Sequence, residues 1–283
     1  MRVIKAIHTA ISAPIDDLVT YRAMPTHSVN HIDPFLFLNH HGPQVYSPNN
    51  HGLPFGPHPH RGFETLTFII TGDITHWDSG GHKSVITEGG IQWMTAGSGV
   101  IHSEVSSDEF MKNGGEVEVL QLWLNLPSSL KMTTPNYVGL QKDEIPHIVE
   151  DEGKVTVNLI SGERNGIQGP VNSITGLTMA SVEMKAGGKF TADVKESNNI
   201  FFYVMRGRLD VNGQTVTTHN LIEFTNKGTG IEVMATDDCM LLFGYGEPFN
   251  EPIVAYGPFV MNTEQEIRQA YADFQAGKMG TWR

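Results

Sequence analysis

Cysteine is almost missing from this chain: Cys239 is the only one in 283 residues. No intrachain disulfide can form, so a reducing compartment is the natural home. Long apolar runs are missing too. Nowhere do about 18 apolar residues follow one another as a membrane helix needs, and the opening MRVIKAIHTAISAP lacks the unbroken apolar core of a secretory signal. A cytoplasmic protein without membrane contact is expected. Basic side chains are scarce, 19 Lys+Arg against 31 Asp+Glu, for a net charge of -12. An acidic surface repels phosphate backbones, so direct nucleic-acid binding is disfavoured. Residues 1–142 carry 8 basic and 12 acidic side chains, and residues 143–283 carry 11 and 19, so the second half is the more acidic.

Glycine and proline are plentiful: 30 and 15, with only 18% of residues charged. That balance predicts many turns and many short strands. Apolar or alternating segments recur at short intervals, among them FETLTFII, GGIQWMTAG, EVEVLQLWLNL, KVTVNLI, LTMASVEM, NIFFYVMRG and IEVMATDDCMLLFGYG, separated by SGG, EGG, NGG and VNG. The rhythm predicts an all-β sandwich or barrel. Helix is expected only near the end, where NTEQEIRQAYADFQAGKMG offers Thr263 as N-cap, Glu266 three residues on, and Ile267, Ala270, Tyr271 and Phe274 on one face. A short helical turn is also expected after Pro127.

The two halves echo each other. FIITGDITHWDSGGHKSVITEGGIQWMTAG and YVMRGRLDVNGQTVTTHNLIEFTNKG share an order of apolar strand, Gly72 or Gly207, strand, glycine turn and strand. A duplicated β unit accounts for this, with the boundary in the polar stretch 139–154 and domains at 1–140 and 141–283.

The chemistry is concentrated in PFGPHPHRGFET. In an extended strand His58 and His60 project to the same side, and Pro57 and Pro59 withhold backbone donors, which places them at a strand entry or sheet edge. After a glycine-rich turn, AGSGVIHSE repeats the spacing with His102 and Glu104. Two strands of one barrel would thus supply three imidazoles and one carboxylate. Such a donor set suits Fe(II), Mn, Ni, Cu or Zn, and the lack of thiolates argues against a structural zinc site. His40 and His41 are adjacent and cannot chelate together from a strand. His8, His27, His31, His51, His76, His82, His147 and His219 have no ligand-spaced companion and are expected at the surface or in caps.

Gly52-x5-His58-x-His60-x3-Glu64, closed by Gly72, resembles the first cupin motif, and GGIQWMTAGSGVIHSE resembles the second. HPHRGFET, QWMTAGSGVIHSE, LWLNLPSSLKMTTPNY and GEPFNEPIVAYGPFVMNT are similar to pirin-family sequences over nearly the whole chain. The resemblance implies two tandem cupin barrels of the double-stranded β-helix (jelly-roll) type, with a short C-terminal helix. The first domain would hold one metal, usually iron, through His58, His60, His102 and Glu104; the second would be a degenerate cupin. It further implies an activity like that of quercetin 2,3-dioxygenase, with a phenolic or enolic substrate and O2. Eukaryotic members are described as nuclear co-regulators, and no nuclear-type basic cluster occurs here. The alternative is a non-catalytic, metal- or redox-dependent regulator with a protein partner at the acidic C-terminal domain.

Many cupins take their glutamate ligand from the first motif, whereas here Glu104 lies in the second and Glu64 is spare. On a regular strand Glu64 would share parity with His58 and His60, as an acceptor orienting an imidazole or as a catalytic base beside Glu104. A bulge would instead turn it away. In the second half Asp193 and Lys195 align with His58 and His60, and no histidine matches His102, so one metal per chain is expected.

Overall fold

The structure is a computed structural model, and it describes residues Met1–Trp282. Strand accounts for 54% of the chain and helix for 9%, in two cupin-type domains with a short C-terminal helix. This is the expected all-β class. Among the described residues no helix is long and apolar enough to cross a membrane.

The chain divides into two compact units whose middle break lies between Lys142 and Asp143. Their outer segments are exchanged relative to a simple division at 140/141. Met1–Ile11 belongs with Asp143–Pro248, because Ile4–Thr9 pairs antiparallel with Asn220–Phe224 and completes that unit's large sheet. The segment from Phe249 onward, terminal helix included, belongs with Phe35–Lys142.

In the histidine-bearing unit a large sheet runs through Asn136–Leu140, Ile91–Thr95, Phe63–Thr71, Gly115–Asn125 and Phe35–Tyr46 in that spatial order. A smaller sheet runs through Phe55–His60, Val100–Val105, Asp73–Asp78 and Lys83–Thr87. Strands from the two halves of the sequence motif pair, because period-two side chains allow polar groups to share one face.

The terminal helix, Glu264–Gln275, begins with the expected capping box: Thr263 Oγ1 accepts from Glu266 N, and Thr263 N donates to Glu266 Oε2. Ile267 and Ala270 pack with Ile101, Phe259, Met261 and Met279. On the same helix Asp273 accepts from Arg61 Nη1 at 2.9 Å, while Arg61 Nε donates to Ser98 O at 2.7 Å. The helix is thus tied to the residue that follows His60. After Pro127 the chain makes hydrogen-bonded turns, Leu130 N and Lys131 N both donating to Pro127 O, but no helix. A second α-helix, Asp108–Asn113, was not expected. Ser107 caps it by accepting from Phe110 N.

The other unit repeats the two-sheet plan. Its large sheet runs through Ile4–Thr9, Asn220–Phe224, Asn199–Arg206, Cys239–Gly246, Thr178–Met184, Val155–Ser161 and His147–Glu150, and its small sheet through Lys189–Asp193, Gly230–Ala235, Arg208–Val211 and Gln214–Thr217. Its interior is filled by Phe190, Phe202, Phe243, Val157, Val204, Val233 and their neighbours. Asp193, at the end of Lys189–Asp193, and Lys195, just beyond it, are exposed, and the buried residue of that strand is Phe190. Close apolar packing leaves no polar donor set there. Among the described residues the only candidate metal cluster is in the first unit.

Candidate metal centre

His58 and His60 sit on Phe55–His60, with Pro59 facing away between them. The strand pairs antiparallel with Val100–Val105, so that His102 lies directly across from His58 and Val100 across from His60. Register alone therefore brings three imidazoles to one spot. Gly62 ends this segment with φ +87°, and a Cβ there would lie 2.0 Å from Val260 O. Only glycine fits both constraints.

The three Nε2 atoms converge. His58 Nε2 is 3.1 Å from His60 Nε2 and 3.0 Å from His102 Nε2. The outer nitrogens bear on what this cluster could hold. His58 Nδ1 lies 2.7 Å from Gly56 O, and His60 Nδ1 lies 3.2 Å from Pro258 O. A carbonyl oxygen only accepts, so both Nδ1 atoms donate, and a neutral imidazole has one N–H. Two lone-pair-bearing Nε2 atoms are thereby turned toward each other at 3.1 Å, an arrangement that a shared cation relieves. Burial and the adjacent His58 push His60 down to about 3, against the Pro258 hydrogen bond that raises it. Burial also holds His102 well below the usual imidazole range, with His60, His58 and His76 adding to the effect. Both rings stay neutral at neutral pH, as metal ligands must.

Glu104 is next to this group, its Oε2 4.0 Å from His102 Nε2. It is 2% exposed and lies outside the tight cluster that the three histidines form. Its oxygens are held from the facing sheet. Thr67 Oγ1 donates to Oε1 at 2.9 Å, Gln92 Nε2 donates to Oε1 at 2.7 Å, and Gln121 Nε2 donates to Oε2. Three hydrogen bonds fix the plane of its carboxyl group.

Glu64 is turned the other way. Phe63–Thr71 is a separate strand of the large sheet, entered through the corner at Gly62, so parity does not carry over from His60. Thr67 faces Glu104, and Glu64, three residues away on a regular strand, faces the reverse side, where it accepts from Thr95 Oγ1 at 2.6 Å. Burial pushes its carboxyl up to about 7, opposed by hydrogen bonds from Thr95 and Trp93. It is not a base for chemistry at the histidines.

Four of the other histidines are buried rather than superficial: His8, His40, His41 and His76. Each has a polar partner. His8 meets Ser28 and Glu223, His40 meets Glu118, His41 meets Thr20, and His76 meets Asp78. Buried imidazoles persist where a hydrogen bond replaces water.

Thr67, Gln92, Gln121 and Pro258 were not among the expected site residues. The signal for two of them was a glutamine inside an otherwise apolar strand, in IQWMT and LQLWL. An aromatic wall completes the site. Trp123 lies 5.4 Å from the His60 ring, 4.6 Å from Phe37 in a stacked pair and 4.4 Å from Phe63. Phe37 and Trp123 are half-buried, Phe63 fully.

Two jelly-roll units, one carrying a polar, histidine-lined interior and the other an apolar one, define a bicupin with a single candidate metal centre among the described residues. The family profile Pirin matches residues 17–124, and Pirin C-terminal cupin domain matches residues 179–280. A pirin-like protein of Caulobacter vibrioides is 37% identical over 91% of this chain and 91% of its own length. The chain belongs to the pirin family. Among solved structures, a quercetin 2,3-dioxygenase from Acinetobacter baumannii superposes with a TM-score of 0.93 at 35% identity, covering 99% of each chain. A bacterial pirin of Escherichia coli in complex with nickel(II) shares the fold, with a TM-score of 0.68 at 19% identity, over 86% of this chain and 99% of that one.

Proposed function

We propose that this protein holds one divalent first-row metal, Fe(II) foremost, through His58, His60, His102 and Glu104, and that it opens a flavonol or a related enolic or phenolic compound with molecular oxygen. The observation that carries the metal assignment is the pair of Nε2 lone pairs confronted at 3.1 Å, each fixed by a carbonyl at the far side of its ring. Mn, Ni, Cu and Zn suit the same donors, and availability decides among them. The dioxygenase assignment is supported by the likeness to the Acinetobacter enzyme over the full chain.

Bound among these residues, the metal supplies Lewis acidity and redox chemistry. The chain supplies the rest. The packed rings of Phe37, Trp123 and Phe63 form an apolar wall beside His60, against which an aromatic ring can make edge contacts. Glu104 Oε2, with a single donor from Gln121 among the hydrogen bonds described, is placed to accept the proton of a substrate hydroxyl. Gly56 and Pro258 keep two imidazoles in the tautomer that presents Nε2.

Elemental analysis of the purified protein, followed by oxygen uptake and carbon monoxide release with quercetin, tests both parts. Fe(II)-loaded protein is expected to consume one O2 and release one CO per flavonol opened, and His102→Ala to do neither. Stoichiometric metal without oxygen uptake overturns the dioxygenase assignment. Absence of stoichiometric metal after anaerobic loading overturns the site itself.

A further inference from the structure

Thr67, Gln92 and Gln121 come from three neighbouring strands of the large sheet, and they stand in one row. Thr67 is the cross-strand partner of Gln92 on one side and of Gln121 on the other. All three donate to Glu104, which projects from the opposing small sheet. A glutamine amide can present either its NH2 or its oxygen, and the wrong choice would set two acceptors against each other. Each glutamine has its own lock. Tyr137 Oη donates to Gln92 Oε1 at 3.1 Å, and Trp123 Nε1 donates to Gln121 Oε1 at 3.2 Å. An indole N–H only donates, which commits the Gln121 amide to showing NH2 to Glu104; at Gln92 the same orientation is set by Tyr137 Oη together with Glu104, whose carboxylate oxygen takes the NH2 side. Tyr137 is fixed in turn by Ser84 Oγ at 2.6 Å and by stacking on His76 with centroids 3.9 Å apart.

From this geometry we infer that Gln92 and Gln121, locked by Tyr137 and Trp123, are positioning residues that set the carboxylate of Glu104 for the metal. The inference rests on Glu104 being a ligand, as proposed above. It also makes Trp123 serve two purposes, since the ring that stacks on Phe37 carries the N–H that orients Gln121. Outer partners of metal ligands typically contribute about 10–100-fold in affinity. The two locks act one bond further out and should contribute less.

The test is Co2+ titration of the full-length protein, followed by its visible absorption, which reports the ligand field independently of catalysis. Gln92→Leu and Gln121→Leu are expected to weaken Co2+ binding by roughly 10–100-fold and to shift the bands. Tyr137→Phe keeps the ring and removes the hydroxyl, with its Ser84 contact, while Trp123→Phe keeps an aromatic ring at that position but removes the indole N–H together with the five-membered part of the ring. They are expected to shift the same bands with roughly 3–10-fold weaker binding, a smaller share of the same effect, and they remain informative if a leucine variant fails to fold. Glu104→Gln is the reference. If it alters affinity and spectrum while all four other variants match the wild type within twofold, the positioning role is overturned and the ligand assignment stands. If Glu104→Gln itself changes neither, Glu104 is no ligand and both fall.

Discussion

His58 Nε2 and His60 Nε2 stand 3.1 Å apart, each ring pinned at its other nitrogen by a backbone carbonyl, Gly56 O for one and Pro258 O for the other. Neither neutral ring can place a hydrogen between them. On the proposed assignment, a cation shared with His102 would stabilise the folded chain directly, by RT ln(1 + [L]/Kd), or about 2.7 kcal/mol at a hundredfold excess of free metal over Kd. Calorimetry with and without Ni2+ or Fe2+ should show that increment. His58→Ala, His60→Ala or His102→Ala should each abolish it, since losing a ligand costs more than the roughly 10–100-fold of an outer partner. Wild-type unfolding that is indifferent to metal would count against the site.

The corner after His60 gives a second test. Gly62→Ala forces a positive φ on a residue with a Cβ and drives that atom against Val260 O. The expected loss is about 2 kcal/mol or more in chemical unfolding, together with weaker metal binding, because Arg61 and His60 must shift with the corner. Gly56→Ala, in the same histidine strand, meets nothing within 4 Å and has no positive φ. It should change stability by no more than about 0.5 kcal/mol. Equal effects of the two would show that the corner does not set the site.

Glu64 is the subject of a pH prediction. Burial raises its carboxyl to about 7 from 4.5, so the folded chain favours the neutral form. For a raised value, the stabilising contribution is complete below the unfolded-state pKa and is lost as pH rises through the folded one. Wild-type stability should therefore fall by about 2 kcal/mol more than that of Glu64→Gln between about pH 5.5 and about pH 8. Metal binding by Glu64→Gln should be unchanged, because residue 64 is on the sheet face away from Thr67 and Glu104. Parallel stability profiles, or a loss of metal affinity in the variant, would contradict this placement.

What the sequence made legible follows from what it encodes locally. His58, His60 and His102 were visible because a two-residue spacing on a strand fixes which side each ring takes, and antiparallel register then brings them together. The capping box at Thr263 and Glu266 was equally local. Glu64 misled because the same parity rule fails at Gly62, where a left-handed corner moves the chain into another sheet. The docking of Phe249 onward beside the histidines was hidden for a different reason. It depends on Arg61 meeting Asp273 and on His60 meeting Pro258, contacts separated by 212 and 198 residues. Gln92 and Gln121 announced themselves only as polar residues in apolar strands, and their common partner Glu104 could not be read without the pairing of three strands.

The aromatic wall supplies the last prediction. Phe37 stacks on Trp123 with centroids 4.6 Å apart and an interplanar angle of 26°, and Trp123 is edge-on to His60. Trp123 stacks on the Phe37 ring and Arg22 lies over it at 5.0 Å, so a flat phenolic substrate approaching the histidines would meet the ring at its edge, a contact on the order of 0.5–1.5 kcal/mol for an aromatic pair beyond simple area burial. Phe37→Leu keeps an apolar side chain at that position but removes the ring. It should therefore raise KM for quercetin by roughly 2–10-fold while leaving kcat and Co2+ affinity within twofold. Phe37 is the better choice for this experiment than Trp123, whose indole N–H also orients Gln121 and so would confound substrate contact with the set of Glu104. Steady-state kinetics beside a metal titration separates the two outcomes. A change in metal affinity without a change in KM would show that Phe37 supports the centre rather than the substrate.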